Sequence, residues 1–169
     1  MLLALLALGC ATRREAVILT PRGAPSAAPT TSVQLRLVDE RGHPPAPLAP
    51  AEDVVGNSIS QLSRATLTSH LAGHRVAVGR SGPLLTVQLL DAWWTLDQPT
   101  AGVLTFVRLR ATLTDASGNV VWEGFGVAGE VRRRSLTPFA AWVAETWQDA
   151  LERACWSLAQ QVATVEAPR

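Results

Sequence analysis

The sequence predicts an α+β domain: an antiparallel or mixed sheet of about four to five strands with two helices packed on one face. Three observations predict it. Runs of apolar–polar alternation, clearest over residues 103–114, read as strands with one buried face. Two other stretches repeat apolar residues at three- and four-residue spacing, the period of a helix with one buried stripe. The order of these stretches is strand, helix, short strand, three-stranded meander and long helix. In that order a single helical layer can cover a single sheet, so every apolar face finds a partner. At 169 residues, 47% of them apolar, the chain supports one such core.

In chain order, residues 1–9 (MLLALLALG) come first. They are too short to span a bilayer, which takes about 20 apolar residues, and they match the apolar core of an export signal peptide. Ala7-Leu8-Gly9-Cys10 resembles the bacterial lipobox, in which the signal is cut before the Cys and the thiol carries diacylglycerol. Cys10 is therefore the expected lipidation site. Its acyl chains, at about 0.8 kcal/mol per buried methylene, would anchor the chain stably. Ala11 follows where enterobacterial sorting rules use Asp for inner-membrane retention, a resemblance that points to the periplasmic face of the outer membrane. Residues 10–31 are rich in Pro, Ala, Thr and Arg and read as the lipidated Cys and a flexible tether. Within them, Val17-Ile18-Leu19 has a second reading as a first short strand. The domain is expected over residues 32–169.

Residues 32–40 alternate, with Val33, Leu35 and Leu37 on one face. The Pro-rich loop 43–50 can be neither helix nor central strand. Residues 51–72 repeat Val55, Ile59, Leu62 and Thr66 at helical spacing, with Gly56 weakening the first turns and Gly73 placed as C-cap. A short strand at 75–78 and a turn at 80–83 lead to a strand over 84–94, with Leu85, Val87, Leu89, Asp91 and Trp93 expected on one face. The strand at 103–114 returns through the hairpin loop 115–119 into a strand over 119–131. Its glycines suggest a bulge or strong curvature. Thr137 as N-cap and Pro138 in the first turn open a helix to about residue 165. Its apolar arc carries Phe139, Val143, Trp147, Leu151, Leu158 and Val162. Trp142 and Trp156 fall on the charged side.

Charged residues make up 17% of the chain, the net charge is +1, and all fifteen basic residues are Arg. Without a basic stripe no nucleic-acid partner is expected; Arg132-Arg133-Arg134 reads as a solvated strand end. His70 and His74 have metal-ligand spacing, but Gly73 separates them and no Glu completes an HExxH motif, so no metal site is expected. The carboxylates Asp91, Asp115, Glu123 and Glu130 are dispersed over different strands and the hairpin. GFGVAG at 124–129 lies inside a strand, where it cannot cradle phosphate at a helix N-terminus. No catalytic residue or cofactor emerges, and the chain reads as a non-enzyme. Cys155, between Ala154 and Trp156 in the last helix, reads as a buried thiol. Six Trp against three Phe is the most informative feature. Trp93, Trp122 and Trp147 are expected in or beside the core. Trp94, Trp142 and Trp156 are expected on polar faces, as candidate partner-binding residues.

The helix ending in LTSHLAGHRVAVG (67–79), the turn and strand SGPLLTVQLLDAWW (81–94), the hairpin VRLRATLTDASGNVVWEGFGVAGE (107–130) and the closing amphipathic helix resemble the YajG-type bacterial lipoproteins. In architecture they also resemble transport-accessory and LptE-type envelope lipoproteins. The resemblance spans roughly residues 32–165. It implies a periplasm-facing lipoprotein that binds an envelope protein partner and brings no catalytic residues. The alternative it implies is an accessory protein that binds a lipid or a glycan.

Overall fold

The computed structural model describes residues 16–22, 28–99, 101–133 and 136–165. Cys10, residues 1–9 with their expected export signal, and Arg134 lie outside the described residues. The elements are β1 (Thr31–Asp39), β2 (Ala49–Pro50), a 3₁₀ turn (Ala51–Asp53), α1 (Ile59–Gly73), β3 (Val76–Val78), β4 (Leu84–Asp97), β5 (Gly102–Thr114), β6 (Val120–Arg133) and α2 (Phe139–Ala163). They form the expected α+β arrangement. The sheet runs β3-β1-β4-β5-β6, and the short β2 adds to β4. It is mixed: β1 is parallel to β3 and β4, while β4, β5 and β6 form an antiparallel meander. Both helices contribute to the core: α2 lies against β5 and β6, and α1 lies against α2 and β3.

Each boundary has a local cause. Helix α1 starts at Ile59, later than the pattern from residue 51 suggests, because the Ser58 side chain accepts the Gln61 N–H as an N-cap. Val54 and Val55 are buried in the connection that precedes it. The helix runs one residue further than expected: Gly73, expected as the cap, is its last helical residue, His74 caps it, and the left-handed turn falls on Arg75 (φ 65°). Pro138, expected in the first turn of α2, is its N-cap residue.

Two features depart further from the sequence reading. The first is in β4, where the pairing with β5 slips between Leu89 and Asp91. One extra residue reverses the faces of everything after it. Ala92 and Trp94 therefore enter the core, while Asp91 and Trp93 turn to the outer face, opposite to strict alternation. The second is residues 16–22, expected to be part of the tether. Val17 bridges Val55 in parallel, through Val17 N–H to the Val54 carbonyl and Gly56 N–H to the Val17 carbonyl, both at 2.8 Å. Leu19 is buried, and its N–H reaches Asn57 Oδ1 at 2.6 Å. The Gln148 amide donates to the Thr20 carbonyl at 2.6 Å, and Arg22 pairs with Asp149. Gly56 has its reason here, since a Cβ would press on the Ile18 side chain. This stretch is laid against the helices, close to the alternative reading of a first short strand.

Candidate functional site

The three tryptophans expected on polar faces do not form one surface. Trp94 is 6% exposed and Trp142 is 5% exposed, which overturns their placement outside the core. For Trp94 the cause is the bulge in β4. For Trp142 it is the breadth of cover on α2, which is buried on most of its circumference by the sheet, by α1 and by residues 16–22. Both indoles meet Phe139 edge-on, with ring centroids 5.6 and 6.0 Å away, so the trio closes the end of the core where α2 begins. Phe139 itself, expected on the buried arc, remains partly exposed there. Trp156 is 49% exposed and faces the His74 ring at 6.0 Å, about 21 Å along the helix axis from Trp142. Trp147 is fully buried, and Trp93 stacks on Phe106 at 5.0 Å on the outer face of the sheet.

The titratable groups are organised as structural pairs. His70 Nε2 meets Glu152 Oε2 at 2.7 Å and links α1 to α2; both side chains are largely buried. Asp39 accepts from Arg41 Nε at 2.7 Å and from Ser60 Oγ at 2.6 Å, and Arg41 also reaches Glu52. The Arg41 hydrogen bond, against the opposing effect of burial and with help from Ser60, lowers the Asp39 carboxyl to about 2. Asp91 pairs with Arg108 and Glu123 with Arg110 on the outer face. Asp115 caps its own hairpin, accepting the Ser117 and Asn119 N–H groups. Cys155 is buried, and the loss of hydration pushes its thiol far above the usual range. Among the described residues no three His, Cys, Asp or Glu side chains gather as a metal site. None of these groups stands beside a second one poised as nucleophile and base.

What the chain does present is the outer face and free edge of the meander. Strand β6 is the last of the sheet, and nothing among the described residues pairs its far side. Its inner positions Gly124 and Gly126 lie under α2. A Cβ at 126 would overlap the Ala154 carbonyl, and one at 124 would strike the Trp122 ring and the Gln161 amide. The glycine spacing that looks like a nucleotide fingerprint thus lets a helix backbone lie close to a strand. With small residues turned in, the bulky ones turn out: Phe125, Val127 and Val131 are exposed in one row. Across the ladder, Phe106 stands opposite Gly129 and covers it, and Trp93 extends the apolar strip onto β4. Arg108 and Arg110 frame the strip through their ion pairs. The signal was present in the sequence as Phe125 and Val127 alternating with the small residues Gly124, Gly126 and Ala128. Only the position of α2 decides which set is inside.

A second concavity, of about 680 Å³, opens beside the aromatic trio. Leu96, Gln98, Leu136, Phe139 and Trp142 line it.

The mixed sheet backed by two helices defines the class: a small α+β domain. Among solved structures the chain is similar to a minor lipoprotein from Acinetobacter baumannii, with a TM-score of 0.52 at 13% identity over 78% of this chain and 91% of that one. It is also similar to lipoprotein B from Nitrosomonas europaea, with a TM-score of 0.45 and 14% identity over 86% and 90% of the two chains. Lipoprotein GNA1162 from Neisseria meningitidis gives 0.44 and 10% over 81% and 100%. The Acinetobacter comparison places the fold among those that bacterial lipoproteins adopt. No family model matches the sequence, and no curated protein matches it.

Proposed function

We propose that this chain is a periplasm-facing lipoprotein of the YajG type, anchored through Cys10 in the outer membrane. In this reading it acts as a non-enzymatic binding and assembly module for an envelope protein partner. The observation that carries this reading is the exposed apolar row Phe125, Val127 and Val131 at the unpaired edge of a six-stranded sheet. A long apolar edge strand is a template for strand addition, and soluble domains usually blunt or cover it. Here the edge is left long, and apolar side chains from three strands continue its surface. Trp156 offers a separate exposed anchor near the end of α1; Trp94 and Trp142 are withdrawn from this role by their burial.

The test is crosslinking of the full lipoprotein in the membrane of a Gram-negative host, comparing wild type with Val127→Lys and Trp156→Ala. A single envelope protein joined to wild type and lost with Val127→Lys is the expected result. A crosslinked set indifferent to both substitutions overturns the docking role. Palmitate incorporation that survives Cys10→Ser would overturn the anchor.

The concavity beside Phe139 favours one second reading, an accessory protein that binds a lipid or glycan there. It requires an amphiphile or sugar to co-purify with the chain and to be lost with Phe139→Asp. Mass spectrometry of an organic and an aqueous extract decides it.

A further inference from the structure

We infer that the occupant of the β6 edge is a second copy of this chain, paired β6 to β6 in antiparallel register about Ala128; this rests on the reading of that edge as a docking surface. Gln161 Nε2 donates to the Phe125 carbonyl at 2.8 Å, so that carbonyl points away from the ladder with β5, and a partner strand would share it with the Gln161 side chain or displace that side chain. In an antiparallel ladder the groups alternate, so the outward set belongs to Phe125, Val127, Gly129 and Val131. A second β6 running antiparallel must match odd residues with odd residues.

Charge selects among the registers that meet this condition. With Ala128 opposite itself, Val127 faces the partner's Gly129 and Phe125 faces the partner's Val131. At each end Glu123 then faces the partner's Arg133. Glu123 Oε1 is held by Arg110 at 2.8 Å, which leaves the other oxygen for a second guanidinium. Arg133 is exposed and has no carboxylate partner among the described residues, whereas Arg132 beside it is committed to Asp149 and Glu145 on the inner face. A slip of two residues in either sense leaves Arg133 opposite an uncharged residue or beyond the paired segment and separates the charges. The same register sets the apolar residues against one another, Phe125 on Val131 and Val127 beside Gly129 and the Phe106 ring that covers it. It is isologous, so it closes and does not propagate into a fibre. Joining two edges also joins the two outer faces into one continuous apolar strip, the surface an envelope partner would meet.

The test is disulfide crosslinking of the full lipidated chain in membranes. Ala128→Cys places two thiols across the axis at a non-hydrogen-bonded pair, where backbones approach within reach of a disulfide. It is expected to give a covalent dimer under mild oxidation. Glu123→Cys and Arg133→Cys should crosslink when the two variants are co-expressed and not when either is expressed alone. Adding Val127→Lys to Ala128→Cys should reduce the crosslinked fraction about ten-fold or more, since it sets lysines into the paired edge. A thermal melt confirms that Val127→Lys, an exposed position, leaves the fold intact. A crosslink at 128 that survives Val127→Lys is a chance encounter and overturns the inference. No crosslink at 128, with an envelope protein lost on Val127→Lys, overturns the second copy and keeps the edge as a docking site. If neither is seen, both readings fall.

Discussion

Gly126 shows how much a single absent side chain can carry. Its hydrogen faces the Ala154 carbonyl and the Leu158 side chain of α2, and a Cβ there would overlap helix backbone that cannot rotate away. Gly126→Ala is expected to lower stability by about 2–3 kcal/mol, read in a urea titration, because strand and helix must separate to admit it. Gly129→Ala, on the outer face with only ordinary contacts, should cost far less, and a similar loss at both positions would refute the packing account. Asp39 gives a pH dependence with a defined sign. Its carboxyl is lowered from 3.8 to about 2 in the folded chain, so its pairing stabilises the fold above pH 4 and is lost as the pH falls through 2. The side chain is about a third exposed, so solvent screening leaves about 1 kcal/mol of this at neutral pH. Arg41→Ala should flatten the acid limb of stability between those values. An unchanged limb would show that Asp39 does not contribute.

At the scale of elements, every helix and every strand but the two-residue β2 was legible in the sequence, because period-2 and period-3.6 patterns report which side of each element is buried. What was not legible is where a pattern changes phase or where a third layer arrives. Trp93 and Trp94 are adjacent, and strict alternation from Leu85 assigns Trp93 to the core. The bulge after Leu89 assigns Trp94 instead, and no residue at that point announces it. Trp142 fails for a different reason: a helical wheel assumes one covered side, and α2 has several. The N-terminal stretch is the third layer. Val17 and Leu19 pack on the core, and three polar contacts join residues 16–22 to Asn57, Gln148 and Asp149. A chain beginning at residue 28 should therefore be less stable than one beginning at residue 16 by about 2–4 kcal/mol, from one buried Leu, part of a Val and the freed Gln148 amide. Equal melting temperatures for the two would show that the stretch merely rests on the surface. The docking edge was legible only in part: alternation in β6 was evident, but its glycines are as compatible with an inward as with an outward bulky row until α2 is placed.

For the whole molecule, the packing of residues 16–22 bears on how the domain stands at the membrane. If the lipid is on Cys10 and the chain were free up to residue 31, the domain could drift about 70 Å from the bilayer. With Ala16 already at the domain, the six positions from Cys10 to Ala16 can span at most about 20 Å whatever their conformation. On the proposed anchoring, the face carrying Val17 and the start of α1 would be the one held near the headgroups. Spin labels introduced at Ile18, which is exposed beside Gly56, and at Ser117, in the hairpin between β5 and β6, test the geometry against a paramagnetic headgroup lipid. The label at 18 should be strongly relaxed and the label at 117 much less so. A flexible insertion of about 20 residues after Ala11 should erase the contrast. Equal relaxation at the two sites without the insertion would mean that the stretch detaches at the membrane and that the domain is tethered at the longer distance.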